Sequence, residues 1–171
     1  MTDLMLDLET MGSGPHAAIV QIGACYFDRR GGMGDTFVVN VDLDSCIRLG
    51  LEVDGDTVMW WLGQKAEAQR GLLGMRLDIS DAARLFCGFA RGAKHVWSHA
   101  TFDHVILSHA LKLLGRSMPG GYYGARDLRT LIDLAGVEKP FRIGTHHDAL
   151  SDAEFQANHA IACFEALEEK R

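Results

Sequence analysis

Asp7 and Glu9 stand two apart in Leu6-Asp7-Leu8-Glu9-Thr10-Met11-Gly12. Asp103 follows Phe102 near the middle of the chain, and His147 and Asp152 stand in His147-Asp148-Ala149-Leu150-Ser151-Asp152-Ala153. Four carboxylates and one histidine in three short blocks act together only if the fold gathers them. Gathered, they would hold two divalent metals with a base beside them, which is equipment for cutting phosphodiesters. Mg²⁺ and Mn²⁺ both favour carboxylate oxygens, so the ligand type does not separate them. A histidine titrates near neutrality and suits the removal of a proton from water. His146 lies beside His147, and spacing does not choose between them.

The elements that must position these groups are legible in outline. Leu4 to Glu9 alternates as a strand does, so Asp7 and Glu9 leave the same face. Strand interiors disfavour Asp and Glu. Two such acids on a central strand repel each other and resist desolvation unless a cation neutralises them; on an edge strand they would simply face water. Ala17 to Phe27 and Thr36 to Val41 read as two further strands, with a hairpin turn at Asp28-Arg29-Arg30-Gly31-Gly32. A helix is expected from Asp56-Thr57 through Trp60, Trp61 and Ala68, and another from an N-cap at Ser80. His95 to Ser98 reads as a strand. Thr101 is the expected cap of a helix closed by Gly115, and Asp127 to Ala135 a shorter helix closed by Gly136. Phe141 to Asp148 reads as a loop that could close over substrate. Ser151 with Glu154 is the expected capping box of the last helix. Asp103 and Asp152 both fall in first turns, where the helix dipole favours an acid with or without a metal. These elements make one α/β domain over residues 1–171, with a mixed central sheet flanked by helices.

Composition narrows the class. Apolar residues make up 47% and charged residues 23%, the balance of a soluble globular domain. No apolar run has the length of a membrane span, and Met1-Thr2-Asp3-Leu4 has no basic, apolar leader. Cys25, Cys46, Cys87 and Cys163 are widely spaced and read as reduced thiols of a cytoplasmic protein. The net charge of −6 argues against gripping long duplex DNA. It leaves a small nuclease open, because metals reverse the sign of an acidic site. Arg126, Arg129, Lys139 and Arg142 cluster ahead of the last acidic block, either as a binding surface or as a solvated face. The Met, Trp and Leu content would serve a homodimer interface and equally a core.

The three blocks, taken together and in this order, resemble the motifs of the DEDD exonuclease superfamily. Asp7-Leu8-Glu9-Thr10-Met11-Gly12 is similar to the first, Ala100-Thr101-Phe102-Asp103 to the second, and His147 through Ala153 to the third in its histidine form (DEDDh). Within the superfamily the chain looks most like the small phage and prophage exonucleases grouped with a bacterial 3′-5′ exoribonuclease. Met59-Trp60-Trp61, Val96-Trp97 and Arg126-Asp127-Leu128-Arg129-Thr130 support that grouping. His99 departs from the Asn that many members carry before Ala100.

The resemblance implies a ribonuclease H-like fold. It implies metal-dependent release of nucleoside 5′-monophosphates from single-stranded 3′ ends or 3′ overhangs, of RNA or DNA. Asp7, Glu9, Asp103 and Asp152 would hold two Mg²⁺ or Mn²⁺ ions, and the third motif selects His147 over His146 as the base. Thr10 and Met11 are expected against the terminal nucleotide. Trp60 or Trp61, Phe102 and Phe141 are candidates for stacking on unpaired bases, at about 1–3 kcal/mol per base. Adjacent tryptophans on a helix diverge, so one of the two is expected in the core. His99 and Arg126 complete the expected substrate contacts. A binding module without catalysis, a phosphohydrolase of small nucleotides and a phage protein that binds a host partner are the competing readings.

Overall fold

The computed structural model describes residues 1–140 and 147–170. Six strands form one sheet in the order β4-β3-β2-β1-β5-β6. Strands β1 (Asp3–Thr10), β2 (Ile19–Phe27) and β3 (Met33–Val41) make the expected antiparallel meander, and β5 (His95–Ser98) runs parallel to β1. Strands β4 (Arg76–Leu77) and β6 (Ala125–Asp127) are short parallel edges that the sequence reading missed. β1 is therefore central, and its two acids are not on a wet edge.

The alternation in β1 divides two cores. Leu4, Leu6 and Leu8 face one side with Ile22 and Ala24, under α4 (Ile79–Phe89) and α5 (Val105–Leu113). Met5 faces the other with Cys25 and Phe27, under α6 (Leu128–Ala135) and α7 (Ala149–Glu169). Asp7 and Glu9 share the face of Met5, so they point toward α7.

Helix ends differ from expectation in instructive ways. The helix expected through Ala68 is two, α2 (Gly55–Leu62) and α3 (Ala66–Gly71). Gln69 Nε2 donates to the carbonyls of Trp61, Leu62 and Gln64, satisfying the end of α2 from the next helix. Helix α1 (Leu43–Leu49) was also missed, although Asp42 caps it and Gly50 ends it at φ +96°. Asp78, not Ser80, caps α4, accepting from the Ser80 N–H at 2.9 Å. Asp148 likewise displaces the Ser151 capping box by accepting from the Ser151 N–H at 2.9 Å. At both starts an aspartate already stands where its carboxylate reaches the free N–H groups. Thr101 caps nothing: the segment opens as a π-turn, Ala100–His104, ahead of α5. Its first N–H groups are taken by carboxylates, His99 N–H by Asp103 Oδ2 at 3.0 Å and Ala100 N–H by Asp127 Oδ1 at 3.0 Å. The expected loop from Phe141, including Arg142 and His146, falls outside the described residues as far as His146.

One glycine decides how α7 seats. Gly23 lies directly across from Asp7 on β2. A Cβ there would run into the backbone of Ala149 and Leu150, the first turn of α7. Beside it, Gln21 lies across from Glu9 and accepts the Ala149 N–H at 2.7 Å. The bare strand surface opposite the acids thus admits the start of the last helix. Gly23→Ala is expected to cost about 1–3 kcal/mol through overpacking, read as a lower urea midpoint, and to displace the first turn that carries Asp152.

Candidate active site

The three blocks meet at the end of β1. A ligand atom from each of Asp7, His99 and Asp103 lies within 4.8 Å of the others, and the same holds for Glu9, His147 and Asp152. Both groups line one open hollow, with Phe102, Arg129 and Gln156 around them.

Each acid is fixed differently. Asp103 is almost fully buried, and its two oxygens accept the N–H groups of Leu8 at 3.2 Å and His99 at 3.0 Å. The π-turn thereby ties the second block to β1. Asp7 is 8% exposed and accepts a 2.6 Å hydrogen bond from Gln156 Nε2 on α7. Glu9 is equally buried. Asp152, in the first turn of α7, accepts the backbone N–H of His147 at 3.1 Å. That bond folds the chain back on itself, and His147 takes the left-handed conformation at φ +61°. Its ring meets Trp60 and Trp61 edge-on, with centroids 4.8 Å and 6.0 Å away.

The electrostatics call for a cation. Burial holds the Asp7 carboxyl well above the usual carboxylate range, and the charges of Asp103, Glu9 and Asp152 push it further, against the pull of the Gln156 hydrogen bond. Burial also pushes Asp103 up to about 7, although the Leu8 and His99 N–H bonds favour its charged form. Burial, then Arg129, hold His99 below its usual value, so its ring is disposed to be neutral. Hard oxygen donors crowded in a low dielectric are the donor set that Mg²⁺ or Mn²⁺ takes, so the residues present fit a divalent metal.

The remaining expected contacts fall in several places. Thr10 is buried, and its hydroxyl donates to the Gly12 carbonyl at 2.7 Å. Met11 is half-buried against the first core. Trp61 is buried and donates from Nε1 to the Thr10 carbonyl at 2.9 Å, whereas Trp60 is 45% exposed. Phe102 is half-buried in the hollow's lining. Arg126 is not among the residues lining the hollow, and its Nη1 donates to the Tyr123 and Ala125 carbonyls. Phe141 is outside the described residues. Arg129, named from the sequence in a basic cluster and in a family segment but not as a substrate contact, is the arginine in the lining. Gln156 was missed, and the available signal was its place four residues after Asp152 on a helix.

Comparisons with known proteins bear on the family and the fold. The family model described as the 3′-5′ exoribonuclease Rv2179c-like domain matches residues 2–164. An exodeoxyribonuclease of Enterobacteria phage T4 is 28% identical over 93 residues, covering 47% of this chain and 38% of its own length. E. coli Exonuclease I, solved with a dT13 oligonucleotide, superposes with a TM-score of 0.65 at 16% identity, over 99% of this chain and 41% of its own. The nuclease domain of 3′hExo, described as a DEDDh family member bound to rAMP, gives 0.58 at 12% identity over 95% and 91%. S. pombe Pop2p in its Mg²⁺- and Mn²⁺-bound form gives 0.56 at 16% identity over 94% and 82%. The fold is thus the ribonuclease H-like fold of the DEDDh exonucleases. Among the described residues no helix is long and apolar enough to cross a membrane.

Proposed function

The chain belongs to the Rv2179c-like 3′-5′ exoribonuclease family, and from that premise we propose that it releases nucleoside 5′-monophosphates from the 3′ end of single-stranded nucleic acid or 3′ overhangs. The observation that carries the reading is the meeting of four carboxylates and His147, from three distant blocks, in two adjacent groups within metal-binding reach.

Asp7, Glu9, Asp103 and Asp152 would hold the divalent ions, and Pop2p, of like fold, has been solved with Mg²⁺ and Mn²⁺. Bound there, such ions supply positive charge to the phosphodiester and make a nearby water more acidic. His147 takes the proton of the attacking water on a ring nitrogen, and the edges of Trp60 and Trp61 limit where that ring can turn. The water oxygen bonds to the terminal phosphorus as the bond to the departing 3′ oxygen breaks, leaving a 5′-monophosphate and a shortened strand. Arg129 brings positive charge to the hollow and suits a phosphate oxygen. Thr10 and Met11, directly after the first acids, receive the terminal nucleotide, and the exposed Trp60 face and Phe102 suit stacking on unpaired bases. One chain carries all five residues, so the reading needs no second copy. A cytoplasmic setting accords with four free thiols, three of them buried.

The family description names RNA and the phage relative DNA, so the test uses both. Matched single-stranded and 3′-overhang substrates of each polymer are incubated with Mg²⁺ or Mn²⁺, beside Asp152→Ala. A ladder shrinking by single nucleotides from the 3′ end, lost in the variant, is expected, and the faster polymer names the substrate. Intact RNA and DNA under all conditions, or a preference for free nucleotides over oligomers, would overturn the proposal.

A further inference from the structure

Two glutamines are buried where the sheet meets α7, Gln21 on β2 and Gln156 on α7 itself, and they differ in one respect. Gln21 uses both ends of its amide: Oε1 accepts the Ala149 N–H at 2.7 Å, and Nε2 donates to Asn40 Oδ1 at 2.8 Å. It therefore has a complete structural explanation. Gln156 uses one end. Its Nε2 donates to Asp7 Oδ1 at 2.6 Å, while its Oε1 is buried without a hydrogen-bond partner among the described residues. A buried carbonyl left unpaired costs free energy. An apolar side chain of similar size would avoid that cost, so packing alone does not account for an amide at this position.

The bond to Asp7 does account for it. Ionised Asp7 can only accept, so it fixes which way the amide points: nitrogen toward the acid, oxygen away. The amide in turn occupies Oδ1 and fixes the plane of the carboxylate. Asp103 obtains the same service from two backbone N–H groups. Asp7 lies mid-strand, paired with Gly23 of β2, and among the described residues no backbone N–H donates to its carboxylate. A side chain must do it instead, and position 156 lies one helical turn beyond Asp152, on the same face of α7. We infer that Gln156 is the positioning residue for Asp7: its amide orients the central carboxylate for divalent-metal binding and couples that orientation to the seating of α7. The inference rests on the metal-dependent reading above. Groups that orient metal ligands commonly change metal affinity 10–100-fold when removed.

The test measures Mn²⁺ binding to the metal-free chain by calorimetry and by electron paramagnetic resonance, without nucleic acid. Gln156→Met, near in length but without a donor, is expected to weaken Mn²⁺ binding about 10–100-fold with the circular dichroism spectrum unchanged. Gln156→Ala, beside the hollow and a neighbouring cavity that Gln156 also lines, serves should the methionine fit badly. A double-mutant cycle separates positioning from mere filling. In an Asp7→Ala background, which removes the acceptor as well as the charge, the Gln156 substitution should have no further effect on Mn²⁺ affinity. Wild-type affinity in a folded Gln156 variant, or an equal loss with and without Asp7, would overturn the inference. Wild-type chain that binds Mn²⁺ but degrades neither polymer would refute the exonuclease reading and leave the Gln156 assignment standing. Wild-type chain that binds no Mn²⁺ would sink both.

Discussion

Asp7→Asn should abolish nucleotide release and, without metal, make the protein more stable. Asn keeps an oxygen for the Gln156 hydrogen bond and removes the charge. Loss of a central metal ligand forfeits several kcal/mol of transition-state stabilisation, about 10³-fold or more in rate. The stability gain follows from the same burial. The Asp7 carboxyl is held well above its ordinary range by desolvation and by the charges of Asp103, Glu9 and Asp152, so its ionised form opposes folding at neutral pH. At this chain length each kcal/mol recovered raises the melting temperature by about 2–4 °C.

The pH dependence has a definite sign. A carboxyl whose pKa is raised by folding binds its proton more tightly in the folded chain. Stability present below the unfolded value is then lost as pH rises through the folded value. For Asp103 that window runs from the ordinary 3.8 to about 7, and Asp7 contributes with the same sign. His99 and His104 are shifted down by burial and act oppositely, adding stability as pH rises toward 6.5. Melting curves in chelator from pH 4 to 8, taken as the difference between wild type and Asp7→Asn, cancel the histidines. The difference should grow with pH. A flat difference would show that Asp7 pays no desolvation cost. Asp103→Asn should behave in the opposite sense and destabilise, because one amide NH₂ would face the Leu8 or His99 N–H.

His147→Ala is the second large effect. Turnover should fall about 10²–10⁴-fold, the contribution of a positioned base, with KM for an oligonucleotide little changed. His147 also lies within coordinating distance of Glu9 and Asp152, so Mn²⁺ affinity separates base from ligand. An unchanged affinity fits the base, and a loss of tenfold or more would assign it to the metal. The backbone at φ +61° allows a further comparison. His147→Gly should lose the same activity as His147→Ala yet be more stable by about 1 kcal/mol, since glycine adopts the left-handed region without a Cβ penalty.

The resemblance to the exonuclease motifs singles out five dispersed polar residues, but the motifs do not explain how they come within reach of one another. Asp7 and Glu9 were readable as a same-face pair because strand alternation is a property of adjacent residues. The stops at Gly115 and Gly136 were readable for the same reason, since each is one residue at the left-handed end of a helix. The caps at Ser80, Thr101 and Ser151 were misread. Short-range pattern could not weigh a hydroxyl against the carboxylates of Asp78 and Asp148, nor against Asp103 and Asp127 acting on the π-turn.

What the sequence determined alone was which five polar residues resemble the exonuclease motifs, the face shared by the first two, and the α/β class. Each is written within a few neighbouring positions. Tertiary structure decided that β1 is central, that Gly23 opposite Asp7 admits α7, that Arg129 rather than Arg126 lines the hollow, and that Gln156 holds Asp7. Those depend on strand register and on helix seating between segments far apart in the chain, where the deciding quantity is whether two surfaces fit, and no local pattern carries it.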